Sequence, residues 1–200
     1  PQNNPSQISK IPKTSGRIFH NLSLSSLTWF KTGGKADLFF IPKGLEDLQK
    51  FLIQLDEIIP TYILGAGSNT LFRDYGFDGV VIKLGKDFDY LETSNKRTIK
   101  VGAATNCIKL ARKLAKKGIA GLEFFSGIPG TVGGAIKMNA GAYGRETSEF
   151  LEEIKVISKS GTIKNLKIKD YVMKYRETNF PEDCIFIEAK FFYKKNNIQE

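Results

Sequence analysis

The sequence predicts an α+β protein built from two successive subdomains, each a sheet with helices against it. Three observations lead there. Apolar runs of strand length alternate with two segments of helical periodicity, turn residues separate them, and two glycine-dense stretches break the pattern where neither strand nor helix is expected.

Residues 1–20 are expected to form a flexible lead-in, because Pro1 to Arg17 carries three prolines among scattered serines and asparagines. Residues 21–84 make the first subdomain. Thr32, Gly33 and Gly34 read as a turn before a strand over 36–41, and Leu45, Leu48, Leu52 and Leu55 form one apolar stripe on a helix over 44–56. Strands over 62–64 and 80–84 complete the unit.

Residues 85–195 make the second subdomain. Strands over 90–93 and 98–101 read as a hairpin with Thr98 and Lys100 outward and Ile99 and Val101 inward. A helix over 105–117 follows, with Ile108, Ala111, Leu114 and Ala115 on its inner face and Lys109, Arg112, Lys113, Lys116 and Lys117 on the remainder. Gly118 serves as its C-terminal cap. A further hairpin, 151–158 with 162–166, turns at Ser160 and Gly161, and a strand over 184–193 closes the subdomain.

Composition narrows the function. A hydrophobic content of 41% with 26% charged residues is ordinary for a globular chain, and no uncharged apolar run approaches the roughly 18 residues of a membrane span. Residues 1–16 lack the apolar core of a signal peptide, so a cytoplasmic protein without membrane insertion is expected. The chain starts at Pro1 rather than Met, which suggests that its numbered ends are not its natural ends.

The net charge is +9, yet only six of the 30 basic residues are arginine and the lysines are dispersed. Base and phosphate recognition favours arginine clustered with aromatics, so no nucleic-acid partner is expected. The basic field instead suits an anionic nucleotide ligand. Cys107 and Cys184 are expected to be reduced thiols, and with His20 the sole histidine neither a metal site nor a Ser-His-Asp triad is expected.

The chemistry is concentrated in the glycines. Ser126 to Gly144 holds six glycines, one proline and no acidic residue, and earlier Gly65, Gly67, Ser68 and Asn69 follow a strand-like run. Such density is expected where backbone takes positive φ or lets another surface come close, and exposed N–H groups there favour a phosphate-bearing ligand. Tight turns between strands are the alternative. A Rossmann fingerprint fails because Thr70 stands where its third glycine belongs, and no GK[ST] follows to make a P-loop.

GAGSN, SGIPGTVGGAIKMNAGAYG and YRETNF, in that order, resemble the UDP-N-acetylenolpyruvoylglucosamine reductase family over roughly residues 21–193. The resemblance implies the FAD-binding fold of the vanillyl-alcohol-oxidase/p-cresol-methylhydroxylase type, made of two α+β subdomains. It also implies FAD as cofactor, NADPH as hydride donor, a UDP-sugar substrate carrying an enolpyruvyl ether, a place in peptidoglycan precursor synthesis and a monomeric enzyme.

By the same resemblance Gly65, Ala66, Gly67, Ser68 and Asn69 face the cofactor pyrophosphate. Ile128, Pro129, Gly130, Gly133, Gly134, Asn139, Ala140 and Gly141 wrap the flavin and its phosphates, and the Thr32–Gly34 turn lies near the flavin. Tyr175 and Arg176 bind the substrate, with Arg176 catalytic through stabilisation of charge developing toward the carboxylate. From the residues alone Asn139 reads equally as a structural hydrogen-bonder and Arg176 as a surface partner of Glu177. Lys137 and Thr178 depart from the family pattern, which more often has an apolar residue and a serine at these places.

The family continues into a C-terminal substrate-binding domain that carries a proton-donating serine and an assisting glutamate. The 200-residue chain stops before it, so neither role has a position here, and the fragment by itself is expected to be inactive. Two other readings stay open: the same flavin fold serving an oxidase of small alcohols or sugars, and a non-enzymatic nucleotide- or RNA-binding module supported by charge alone.

Overall fold

The computed structural model describes residue 8 and residues 10–94, 97–174 and 176–195. The chain forms two compact units. One reaches to Asp87 and adds Ser158–Thr162, and the other is made of Phe88–Ile157 and the chain from Ile163 on.

In the first unit, β1 (Arg17–Ser23), β2 (Lys35–Ile41), α1 (Gly44–Gln54), β3 (Thr61–Ile63) and β4 (Phe77–Ile82) make a four-stranded sheet of order β1-β2-β4-β3 with one helix. The β1 strand runs antiparallel to β2, while β2, β4 and β3 are parallel. The β2-α1-β3 crossover leaves an empty place that β4 fills. Residues 64–76 must therefore return from the carboxyl end of β3 to the start of a parallel neighbour without a helix, and the first glycine turn begins that return.

The central strand β2 packs on both faces. Phe40 stacks on Phe51 of α1 at 3.9 Å between ring centroids. Phe39 joins Leu24, Ala36, Leu64, Phe72 and Val81 in a cluster that covers the opposite face. Ala36 and Phe39 share that cluster because the register shifts between Ala36 and Leu38, which breaks strict alternation. On α1 the buried residues are Asp47, Leu48, Phe51 and Leu52, so the leucine stripe is widened by an aromatic and one carboxylate.

Arg17 to His20, read from the sequence as lead-in, are the first half of β1. Their side chains are mostly exposed, so no apolar pattern announces the strand, and backbone pairing to Phe39, Phe40 and Ile41 holds it. Just before it, Thr14 and Ser15 are tied to Asp47. The Thr14 hydroxyl donates to both carboxylate oxygens at 2.8 and 2.9 Å, Ser15 N donates at 2.8 Å and Lys43 N at 2.8 Å.

The second unit holds β5 (Leu91–Thr93), β6 (Thr98–Gly102), α2 (Cys107–Lys116), β7 (Ile119–Ala120), α3 (Val132–Lys137), β8 (Gly141–Ala142), β9 (Arg145–Glu146), β10 (Leu151–Ser158), β11 (Ile163–Lys167), β12 (Met173–Lys174), β13 (Glu177–Thr178), β14 (Cys184–Phe192) and β15 (Lys194–Lys195). Its main sheet has the order β11-β10-β14-β6-β5, and α3 packs on β6 and β14. An aromatic group of Phe124, Phe125, Phe150 and Phe191 fills part of its core, and the exposed Phe192 lies against Phe150. In the same unit the Tyr90 hydroxyl donates to the buried Glu188 at 2.6 Å, and burial together with that carboxylate pushes the phenol pKa up.

The inner face of α2 differs from the expected one. Cys107, Leu110, Ala111 and Leu114 are buried, whereas Ile108 is half-buried and Ala115 exposed. Periodicity permits either stripe, and contact with the 3-10 turn Glu123–Gly127 selects this one. The Asn106 side chain caps the helix by accepting from Lys109 N, and Gly118, at φ 65°, ends it.

Asp47 yields a pH prediction. Burial raises its carboxyl, but the hydrogen bonds from Lys43 N, Ser15 and Thr14 outweigh burial and hold its pKa below the usual 3.8. The folded chain thus binds fewer protons here than the unfolded one, so this stabilisation is complete above about pH 4 and is lost as the pH falls through the folded pKa. Asp47→Asn is expected to cost about 2 kcal/mol at neutral pH and to flatten the acid limb of a urea-midpoint profile. A variant with the parental midpoint and the parental acid sensitivity would contradict this account.

Candidate functional site

The first unit contributes the turn Gly65–Asn69, immediately beyond β3. None of the five backbone N–H groups from Gly65 to Asn69 donates a hydrogen bond to a described residue. Of the five residues only Gly67 is buried, so these donors are open to water or to a ligand. Glycine-rich turns of this kind form concavities that accept anions.

The carbonyl side of the same turn is tied inward. Lys83 Nζ donates to Gly65 O at 2.6 Å, Trp29 N donates to Gly67 O at 3.0 Å, and the Tyr62 and Thr70 hydroxyls are paired at 3.0 Å. Burial pushes the Lys83 ammonium below its ordinary pKa. Because a trans peptide sets C=O and the following N–H on opposite sides, anchoring Gly65 O and Gly67 O aims the N–H groups of Ala66 and Ser68 away from those anchors.

Gly67 has φ 72°, and a Cβ there would run into Leu27 O and reach Thr28 Cα. Its missing side chain therefore makes room for the chain's own backbone. Of the two reasons the sequence offers for this glycine, positive φ holds, and the surface that approaches closely is the chain's own backbone. The turn Thr32–Gly34 is likewise packed from within, since a Cβ on Gly33 would meet Phe72 and one on Gly34 would meet Asp74.

The second unit contributes the glycine-rich stretch, which holds a short helix that periodicity did not announce. Thr131 caps α3 by accepting from Gly134 N at 3.3 Å, while Val132 N and Gly133 N donate to Thr105 O and Ala103 O. The first amides of α3 are thus spent within the fold. Gly133 seats the helix on Ala103, and a Cβ on Gly141 would strike Arg145 O across the β8–β9 hairpin. Gly134 has room for a side chain and is exposed, as is Pro129; Ile128 is buried and Gly130 half-buried.

Asn139 is fully buried with φ 41°. Its Oδ1 accepts from Ser148 N at 2.9 Å, and its Nδ2 has no hydrogen-bond partner among the described residues. The neighbouring Ala140 O accepts both the backbone N and the hydroxyl of the buried Thr147. Thr147 and Ser148 escaped the sequence reading because a lone Thr-Ser pair carries no distinctive signal. Complete burial favours the structural reading of the Asn139 Oδ1, while the orphaned Nδ2 leaves one donor for a ligand.

Arg176 lies in the connection between β12 and β13, where Lys174 pairs with Glu177. Tyr175 lies outside the described residues. Arg176 is exposed at φ 60°, a conformation that costs most non-glycine residues energy, and its N–H donates to Met138 O at 3.1 Å. Thr178 adds a bond from its hydroxyl to Lys137 O at 3.1 Å. The hairpin is thereby docked on the end of α3, which brings Arg176 beside the glycine-rich stretch despite the long sequence separation.

Among the described residues, no group of three His, Cys, Asp or Glu residues is placed to hold a metal, and no helix is long and apolar enough to cross a membrane. Both cysteines are free, and burial pushes the Cys107 thiol up to about 12.

Residues 36–167 match the family of FAD binding domains. The chain is 42% identical over 184 residues to the UDP-N-acetylenolpyruvoylglucosamine reductase of Caulobacter vibrioides, covering 91% of this chain and 61% of that protein. Among solved structures it resembles the UDP-N-acetylenolpyruvylglucosamine reductase of Thermus caldophilus, at 30% identity and a TM-score of 0.78 over 90% of this chain and 64% of the other. Cholesterol oxidase from Brevibacterium sterolicum, at 12% identity and a TM-score of 0.64 over 94% of this chain and 40% of that one, shares the fold. The fold is therefore the vanillyl-alcohol-oxidase type, and the chain spans about three fifths of the length of the reductase from Caulobacter.

The Asn139 geometry makes a stability prediction. Asn139→Ala is expected to lower stability by about 2–3 kcal/mol, because it orphans Ser148 N and puts an ordinary residue at positive φ. Asn139→Gly should recover only the backbone part. Equal urea midpoints for all three proteins would remove Asn139 from this role.

Proposed function

Since the chain belongs to the family of FAD-binding domains, we propose that it is the flavin-holding part of a UDP-N-acetylenolpyruvoylglucosamine reductase. That enzyme converts UDP-N-acetyl-3-O-(1-carboxyvinyl)glucosamine to UDP-N-acetylmuramate in peptidoglycan precursor synthesis. The observation that carries the cofactor half is the row of unpartnered amides from Gly65 to Asn69 at the end of a parallel strand. Similarity to the reductases over nine tenths of the chain supports the rest.

The residues fit FAD by their donor chemistry. A pyrophosphate needs several fixed donors, and the amides of Gly65, Ala66, Gly67, Ser68 and Asn69 supply them at little conformational cost. Ile128, Pro129, Gly130, Gly133, Gly134, Asn139, Ala140 and Gly141 are assigned to the flavin side, with the free Nδ2 of Asn139 as one donor. Bound there, FAD supplies hydride transfer from NADPH to the enol-ether double bond.

Arg176 binds the enolpyruvyl carboxylate and stabilises the charge that develops toward it. A guanidinium suits the role because its planar fork matches a carboxylate in two places. Its placement in the connection between β12 and β13, with the backbone fastened to Met138, limits the entropy lost when substrate binds. Tyr175, beside it in sequence, is assigned to the substrate as well. In this reading the protein acts in the cytoplasm as a monomer, without nucleic acid or membrane insertion.

The visible absorption spectrum of the chain, after addition of FAD and removal of the excess, tests the proposal. Oxidised-flavin bands are expected to stay with the protein. Their absence, both here and in a version extended past Glu200, would overturn the flavin assignment. In the longer reductase, Arg176→Ala should leave reduction by NADPH intact and slow reoxidation by the UDP-sugar about 100-fold. Unchanged reoxidation would take Arg176 out of the mechanism.

A further inference from the structure

Lys83 places a charged side chain against the Gly65–Asn69 turn, and nothing in its sequence neighbourhood marks it. It follows the last residue of β4, and its backbone N donates to Phe40 O of β2 at 2.9 Å. Its ammonium reaches Gly65 O at 2.6 Å. One residue thus connects the end of β2 with the loop leaving β3, from a position just past β4, the strand between them. No other described residue donates to Gly65 O.

We propose that Lys83 positions the amide row of Gly65–Asn69 for the cofactor's pyrophosphate, by holding the Gly65 carbonyl from behind and placing a positive charge against the same turn. The inference rests on the FAD reading above. Two consequences of the contact support it. The Ala66 N–H belongs to the same peptide unit as Gly65 O and points the opposite way, so a charged donor on the oxygen both orients that N–H and polarises it toward an anion. An ammonium also carries three donors, so one bond to Gly65 O leaves two and the full charge within the half-buried space beneath the turn.

The test compares FAD, ADP and riboflavin binding to the chain and its variants by fluorescence and calorimetry. FAD and ADP carry the pyrophosphate, and riboflavin does not. Lys83→Met is expected to weaken FAD and ADP about tenfold with riboflavin unchanged, and Lys83→Arg, which restores a charged donor, to recover most of the loss. Equal FAD and ADP affinities in Lys83→Met would overturn the proposal. A uniform loss across all three ligands would overturn it too, because that is what mere loosening of the fold produces.

Where the methionine variant unfolds, Lys83→Gln decides. It keeps an N–H donor without charge, and wild-type affinity for FAD and ADP in that variant would rule out the charged role. The two readings fail separately. A parent chain that binds FAD beside variants that bind it equally well sinks only the Lys83 assignment, whereas FAD binding by neither the parent chain nor its version extended past Glu200 sinks both.

Discussion

A peptide unit cannot turn its carbonyl and its N–H to the same side, and the first unit's candidate site follows from that constraint. Lys83 and Trp29 take the carbonyls of Gly65 and Gly67, so the adjoining amides of Ala66 and Ser68 face elsewhere and stay unpaired. Holding such a turn requires a rigid base. The base is supplied by the sheet, because the Tyr62, Phe72 and Phe77 rings pack edge to face along residues 61–77 and pin both ends of the β3–β4 return.

The second unit adds strain around its glycine-rich stretch. Asn139, Tyr143 and Arg176 all take positive φ without being glycine. Each sits where neighbouring bonds over-determine it. Asn139 is clamped by Ser148, Tyr143 shares a two-residue turn with Gly144 between β8 and β9, and Arg176 is fastened to Met138. Tyr143 is also 79% exposed, with its ring edge against Gly127, so a large aromatic is displayed on a tight turn at a conformational cost. Strain of this sort survives where surrounding structure pays for it, and it gathers at sites that bind.

The glycines divide into two physical classes. Gly33, Gly67 and Gly141 are needed because their own chain occupies the space of a side chain, and Gly133 sits tight on Ala103. Gly134 has room for a side chain, while Gly144 has the space but takes φ 74°, which favours glycine. Much of the close approach that glycine density implies is therefore backbone against backbone, which tightens the turns and so presents their remaining donors.

The sequence by itself determined the periodic elements and the chemical character of the two glycine-rich segments. Leu48 and Leu52 on α1, the alternation through β6 and the order of GAGSN, the Ser126–Gly144 stretch and YRETNF were all legible, because each is local or a fixed string. Tertiary structure decided what locality cannot. Strand β1 exists because β2 offers a ladder, not because Arg17 to His20 carry an apolar pattern. The α2 face was chosen by the turn it packs on, and α3 formed inside a glycine-rich run because Thr131, Ala103 and Thr105 take its first amides. Lys83 was invisible for the same reason: its partner is 18 residues away in sequence and becomes a neighbour only when β3 and β4 pair in parallel.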